Sequence, residues 1–263
     1  MLRRGLVPSR RRARDLIDAK RVTVGGAPAL KPARMVAADE SIEVVGPPPR
    51  FVSRGGLKLD AALVEFDLDV AGSTVLDAGA GTGGFTDCLL QRGAARVVAL
   101  DVGSGQLHQR LRDDPRVVVV ERFNARTLTA AGVGGEVDLV TADLSFISLR
   151  AVIDALLSCL VEGGDLILLV KPQFEAGKRE ADRGQGVVRS PEVWLDVLET
   201  LKDAVLERKA SIMGVMPSPI TGANGNVEFL VHIGKDGRGY LGADLSQAVS
   251  RALEGIDRWP RSP

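Results

Sequence analysis

Four ionisable residues stand at the predicted ends of elements. They are Lys58 in Ser53-Arg54-Gly55-Gly56-Leu57-Lys58-Leu59, Asp143 in Ala142-Asp143-Leu144-Ser145-Phe146, Lys171 in Leu169-Val170-Lys171-Pro172, and Glu228 in Gly225-Asn226-Val227-Glu228-Phe229. A lysine flush against a buried apolar strand is costly without a partner, so such a position calls for an acid nearby. Each residue alone also has a plainer role: Lys58 on a solvated helix face, Asp143 as a helix cap, Lys171 reaching for water from a strand end, Glu228 guarding a sheet edge. As a set, two amines and two acids can take a proton from a hydroxyl and hold the charge that develops on its oxygen.

A second pattern says what such a hydroxyl would receive. The strand-like Val75-Leu76 runs into Asp77-Ala78-Gly79-Ala80-Gly81-Thr82-Gly83-Gly84-Phe85-Thr86, where a helix opens. Glycines there allow a tight turn and close approach of a ligand to the backbone. A dinucleotide loop reads G-x-G-x-x-G and seats pyrophosphate on the helix N-terminus. Here the spacing is G-x-G-x-G-G and an acid precedes it, which disfavours a phosphate and fits S-adenosylmethionine, whose amino and ribose groups use carboxylates as acceptors. Asp101 ends the next strand, where doubly wound folds place an acceptor for ribose hydroxyls. The expected cofactor residues are Asp77, Gly79, Gly81, Thr82, Gly83, Gly84, Phe85, Asp101 and Val102; the plainer alternative is a structural glycine turn with a surface aspartate. With a methyl-donor loop beside it, the lysine–aspartate–lysine–glutamate set points to methylation of a ribose hydroxyl. Burial and the charge of Lys58 would each favour a neutral, basic Lys171, oriented by Asp143, while Glu228 holds Lys58. Alternatively both lysines stay charged and stabilise the developing alkoxide and flanking phosphates.

The elements that must position these residues alternate. Apolar runs at Val75-Leu76, 97–100, 117–120, 137–140 and 166–170 read as strands buried on both faces of a parallel sheet. Helices are predicted at 85–92, 149–160 and 191–206, and the runs 211–216 and 227–233 as an antiparallel pair at one edge. The segment from Gln173 to Arg189 carries Lys178, Arg179, Arg183 and Arg189, is long for a connection, and is a candidate lid or RNA-contacting loop. Ahead of this lies a different unit: a helix capped by Ser9 with Ala13, Leu16 and Ile17 on one stripe, then short strands at 21–24 and 41–44. Pro47-Pro48-Pro49 marks a boundary. The predicted divisions are a module over 1–46, a linker over 47–52, and an α/β Rossmann-like domain over 53–263.

Charge is split the same way. The chain balances 34 Lys+Arg against 34 Asp+Glu, but residues 1–50 hold 11 against 5 and the remainder 23 against 29. A basic face made by Arg10, Arg11, Arg14, Lys20 and Arg21, with Arg54 beyond the linker, is expected to meet phosphates. Two separated cysteines, Cys88 and Cys159, give neither a zinc cluster nor a disulfide framework, so no metal is expected. No run approaches the roughly 18 apolar residues of a membrane span, and a cytoplasmic location is expected.

Segments 53–59, 77–87, 101–103 with 105–107, 142–149, 171–175 and 225–229 together resemble the TlyA family of rRNA 2'-O-methyltransferases, historically called hemolysin A. The resemblance implies an FtsJ/RrmJ-like Rossmann methyltransferase domain with a mostly parallel seven-stranded sheet, preceded by a small α+β RNA-binding domain of the ribosomal-protein-S4 type. The chain starts part-way into that module as the family has it, so the module is expected to be shortened. The resemblance also implies S-adenosylmethionine as cofactor, a K-D-K-E tetrad on Lys58, Asp143, Lys171 and Glu228, and a cytidine 2'-hydroxyl in ribosomal RNA, 16S or 23S or both, as substrate on ribosomal subunits. Two readings from other classes compete: a non-catalytic RNA-binding or ribosome-assembly protein, and a membrane-active hemolysin. The first conflicts with the intact tetrad. The second lacks a strong basic amphipathic helix with large aromatics.

Overall fold

A computed structural model of the chain describes residues 1–7, 10–18, 20–47, 49–177, 186–235 and 244–256. The chain divides into two compact units between Arg50 and Phe51.

In the first unit, helix α1 (Arg10–Asp18) turns Leu16 and Ile17 inward against Val22 and Val24 of strand β1 (Val22–Val24). Gly25 and Gly26, both at positive φ, close the tight turn into the short β2 (Ala27–Pro28). Strand β3 (Ile42–Val44) pairs antiparallel on the other side of β1. Ser9, the expected cap of α1, lies outside the described residues.

The second unit is a seven-stranded sheet between helices. Its strands are β4 (Thr74–Ala78), β5 (Arg96–Leu100), β6 (Val117–Val120), β7 (Val137–Ala142), β8 (Leu160–Val170), β9 (Ser211–Pro217) and β10 (Phe229–Gly234). They lie in the order β6-β5-β4-β7-β8-β10-β9. The first five are mutually parallel, and β10 inserts antiparallel between β8 and β9. The apolar runs of the central strands are buried as expected: Val75, Leu76, Val97 and Val98 have no exposed surface, nor do Leu166 to Leu168. Edge strand β6 is only partly covered, which suits four consecutive valines with one flank open.

Helices α2 (Gly55–Glu65) and α3 (Gly84–Gln91) pack on one face, with Leu59, Leu63, Phe85 and Leu89 in a common core. After the short α4 (Gln109–Arg112), α5 (Ile153–Ser158) and α6 (Pro172–Glu175) come α7 (Pro191–Glu207) and α8 (Leu245–Ile256). The long helix predicted at 149–160 is interrupted. A 3-10 turn at Leu149–Ala151 precedes α5, and Leu160 already begins β8, because Val152 leaves the helical region at φ −127. Cys159 accordingly follows α5 rather than sitting inside it, and both cysteines are buried thiols outside any disulfide. Phe51, read from the sequence as linker, is 3% exposed within the core of the second unit.

Candidate active site

A parallel sheet delivers its strand ends to one rim, and this rim gathers the chemistry. Asp77 is the penultimate residue of β4; Asp101, Asp143 and Lys171 each follow the last residue of β5, β7 and β8. Glu228 precedes β10, whose reversed direction brings its start to the rim where its neighbours finish. Phe229 pairs with Val170, so Glu228 comes level with Lys171.

Lys58 reaches this rim from α2. Its approach depends on glycines where the starts of α2 and α3 meet: a Cβ on Gly84 would lie 2.9 Å from the Gly56 nitrogen and collide with the Ser53 hydroxyl. A Cβ on Gly56 would enter the Phe51 ring. Lys58 is 8% exposed and its Nζ donates to Glu228 Oε2, with Glu228 itself 3% exposed. A Cβ on Gly222 would overlap the Glu228 carboxylate, so that glycine makes room for the acid.

Lys171, also 8% exposed, lies 2.6 Å from Asp143 Oδ1 and donates to the Leu144 carbonyl and Ser145 Oγ, both at 2.9 Å. Three acceptors match the three N–H donors of an ammonium group. The four residues thus form two ion pairs, Lys58–Glu228 and Lys171–Asp143, on adjoining elements of one rim.

The glycine loop lies against the same rim. Gly79 has φ +86, and a Cβ there would stand 2.7 Å from the Asp143 carbonyl, so only glycine lets the loop cross the end of β7. A Cβ on Gly81, at φ +52, would meet the Gly79 carbonyl at an ordinary 3.9 Å. Asp101 accepts from Gly81 N at 2.8 Å and Gly103 N at 2.7 Å, one with each oxygen, which leaves further acceptor sites on both. A cleft lined by Ala80, Gly81, Asp101, Gln106, Leu107 and Glu121 opens here. Its lining carries two acids, Asp101 and an Arg112-paired Glu121, and no basic side chain, an acceptor set that suits ribose hydroxyls and gives a pyrophosphate no cation in the lining. These residues fit S-adenosylmethionine. Thr82 and Val102 are exposed beside the cleft.

Two expected cofactor residues stand elsewhere than direct contact requires. Phe85 is 2% exposed and its ring packs into the α2–α3 core, because the first turn of α3 directs it there. Asp77 has no exposed surface; it accepts from Thr86 Oγ1 at 2.6 Å and Thr141 Oγ1 at 3.2 Å. Burial is the chief cause that pushes its carboxyl up from 3.8 to about 7, the Thr86 hydrogen bond opposing and nearby Asp143 adding to it.

Sequence reasoning missed Ser145, Thr141 and an aromatic pair. Phe146 is 90% exposed at φ +62, a conformation unfavourable for a bulky residue, and its ring lies 4.9 Å from that of Phe174. Its position three residues after Asp143 was the available signal; the strained backbone was not readable. In the first unit Arg10, Arg14 and Lys20 are exposed, as is Arg54 at the start of α2. Arg21 instead donates to the backbone carbonyls of Val45 and Pro47, and the side chain of Arg11 lies outside the described residues. Among the described residues no cluster of His, Cys, Asp or Glu could hold a metal ion, and no helix is long and apolar enough to cross a membrane.

The strand order, the glycine loop after the first parallel strand and the acid after the second define a Rossmann-like methyltransferase. The chain belongs to the TlyA family: the FtsJ-like methyltransferase model matches residues 51–235 and the S4 domain model residues 1–42. It is 48% identical to the 16S/23S rRNA (cytidine-2'-O)-methyltransferase TlyA of Mycobacterium tuberculosis, over 96% of this chain and 95% of that relative. Hemolysin A of Brachyspira hyodysenteriae is 38% identical over 87% of this chain and 95% of its own length. A solved structure from Streptococcus thermophilus, carried under the name of a hemolysin, superposes with a TM-score of 0.81 at 37% identity, covering 97% of this chain and 94% of the other.

Proposed function

We propose that this chain methylates the 2'-hydroxyl of cytidine in ribosomal RNA, 16S or 23S or both, with S-adenosylmethionine as donor, on ribosomal subunits in the cytoplasm. The observation that carries the reading is the pair of enclosed lysine–carboxylate pairs beside a glycine loop and an acidic cleft. When bound, the cofactor supplies an electrophilic methyl group on a sulfonium. Asp101 receives its ribose hydroxyls, the backbone at Gly79, Gly81, Gly83 and Gly84 allows close approach, Thr82 and Val102 flank it, and Asp77 and Phe85 support the loop from beneath.

The chain's task is then alignment of the ribose oxygen and removal of its proton. Lys171 turns one N–H from Ser145 toward the 2'-oxygen and holds it as charge develops. As the oxygen takes the methyl group and the S–CH3 bond breaks, the hydroxyl proton would pass to the Asp143 carboxylate, since a charged Lys171 has no lone pair to accept it. Lys58, fixed by Glu228, adds a second positive charge that favours the alkoxide and the adjoining phosphate. The three acceptors around Lys171 Nζ favour the charged-lysine version of this chemistry over a resting neutral amine. Phe146, held outward, offers a flat face on which a cytosine ring can stack. Arg10, Arg11, Arg14, Lys20 and Arg54 supply phosphate contacts; Arg21 contributes less, since its guanidinium is engaged with Val45 and Pro47.

The test is methyl incorporation from labelled cofactor into ribosomal subunits, with mapping of 2'-O-methyl cytidines. Lys171→Ala is expected to lose at least about 100-fold in rate while cofactor affinity by calorimetry changes by less than about threefold. Near-normal turnover by Lys171→Ala would refute the assignment.

A further inference from the structure

Among the described residues, one buried side-chain polar atom has no hydrogen-bond partner, and it stands two residues from Lys171. It is Oε1 of Gln173. Gln173 begins the polar 173–189 segment, of which residues 178–185 lie outside the described residues; Gln173 itself is in α6 and half-buried. A covered acceptor without a donor has given up water and gained nothing in return, so it favours a ligand that brings an N–H to it.

Its neighbours show from which side such a donor comes. α6 follows β8, and β7 separates β8 from β4, whose end carries the glycine loop. Gln173 therefore lies beyond Asp143 and Lys171 as seen from the cofactor cleft, on the side left for the nucleotide that receives the methyl group. The next residue, Phe174, meets the exposed Phe146 ring at 4.9 Å, and Lys171 Nζ lies 5.9 Å from the Phe174 ring. Glu175 fixes the far end of α6, accepting from Ser148 Oγ at 2.7 Å and from Leu149 N at 2.8 Å. The carboxamide is thus carried on a turn anchored before and after it, beside the aromatic face on which a base can stack. A stacked base leaves its edge to be read.

We propose that Gln173 is a specificity-determining residue: its Oε1 accepts a hydrogen bond from the exocyclic amine of the target cytosine, so that the site selects cytidine over uridine. The proposal rests on the methyltransferase reading above and names the group that reads the base. Cytosine presents an N4–H2 donor where uracil presents the O4 carbonyl. With cytidine, rotation about the glutamine side-chain torsions brings the covered oxygen to the donor it lacks. With uridine, two carbonyl oxygens face each other and neither gains a partner. A polar group left unpaired by the wrong ligand discriminates more strongly than an apolar pocket does. Lys171 and Asp143 cannot make this choice, because both act on the ribose, which cytidine and uridine share.

The experiment measures kcat/KM for methyl transfer to ribosomal subunits that carry either the mapped target cytidine or a uridine in its place. The unaltered protein is compared with Gln173→Met and Gln173→Glu. The same two substrates serve all three proteins, so any effect of the replacement on the RNA itself cancels when the ratios are compared. The unaltered protein is expected to favour cytidine by roughly 10- to 100-fold. Gln173→Met, of similar length but with no carbonyl, should bring the ratio to within about threefold of unity while cofactor affinity changes by less than about twofold. Gln173→Glu keeps an acceptor and loses the amide donor, so it should preserve the preference even at a lower rate. The proposal is overturned if the unaltered protein treats the two substrates alike, if Gln173→Met keeps the full preference, or if Gln173→Glu loses it. Slower transfer to both substrates at an unchanged ratio would make Gln173 scaffold and overturns it as well. If the unaltered protein transfers no methyl group to ribosomal RNA, the methyltransferase reading fails and the proposal with it; normal turnover with a preference indifferent to position 173 removes the proposal alone.

Discussion

Asp77 has no exposed surface, and its carboxyl is bonded to Thr86 on α3 and Thr141 on β7. It therefore ties together three elements that carry the cofactor loop and the Asp143 end of the site. Its carboxyl is pushed from 3.8 to about 7, mainly by burial, so the folded protein binds this proton more tightly than the unfolded chain does. A raised carboxyl favours the folded state while it is protonated. Stability from this source is fullest below pH 3.8, declines as pH rises, and is lost above about 7, by an amount on the order of a few kcal/mol. Asp77→Asn, neutral at every pH, should gain on the parent in melting temperature as pH climbs through that window. A melting-temperature difference that stays constant with pH would show that Asp77 does not titrate there.

At the scale of elements, the site depends on how closely α2 approaches α3. Lys58 reaches Glu228 only because α2 starts with Gly55-Gly56 against Gly84, with backbone where side chains would otherwise stand. Gly84→Ala brings a Cβ to 2.9 Å from the Gly56 nitrogen, so the two helix starts must part. The expected cost is about 1–3 kcal/mol, read as a lower urea midpoint at constant slope, accompanied by loss of methyl transfer as Lys58 is drawn away. An unchanged midpoint would mean that the contact relaxes freely. Helix α7 and six of the seven strands matched their apolar patterns closely, since period and burial agree there, whereas β8 starts at Leu160, ahead of its expected 166–170. The 149–160 region did not, because a run of Leu, Ile, Val and Ala fits a helix and a buried strand equally well.

Across the whole molecule, charge and chemistry are divided between the two units. Residues 1–50 carry 11 Lys+Arg against 5 Asp+Glu, and the unit from Phe51 onward has its own core and the whole of the candidate site. Removal of residues 1–50 should therefore leave cofactor affinity near its original value and lower methylation of ribosomal subunits. The full chain should lose RNA affinity steeply with rising salt and the shortened chain less steeply, because fewer counterions are released. Equal salt slopes would show that the basic residues of the first unit make no phosphate contacts.

The sequence alone determined the alternation of strands and helices, the glycine loop, the place of the basic module and the four residues of the two ion pairs. These are local signals: apolar period, turn residues and charge counts need no knowledge of distant neighbours. The sequence by itself already suggested pairing Lys171 with Asp143 and Lys58 with Glu228; only the tertiary structure decided how such distant residues meet, because Lys58 and Glu228 are brought together by the insertion of β10 beside β8 and by glycine contacts between α2 and α3. It also turned Phe85 inward, sealed Asp77, spent Arg21 on backbone carbonyls and tied Asn226 to Gly186 and Val188. Each of these depends on what packs over a residue from elsewhere in the chain, and burial by remote neighbours sets both the partner and the charge of a polar side chain.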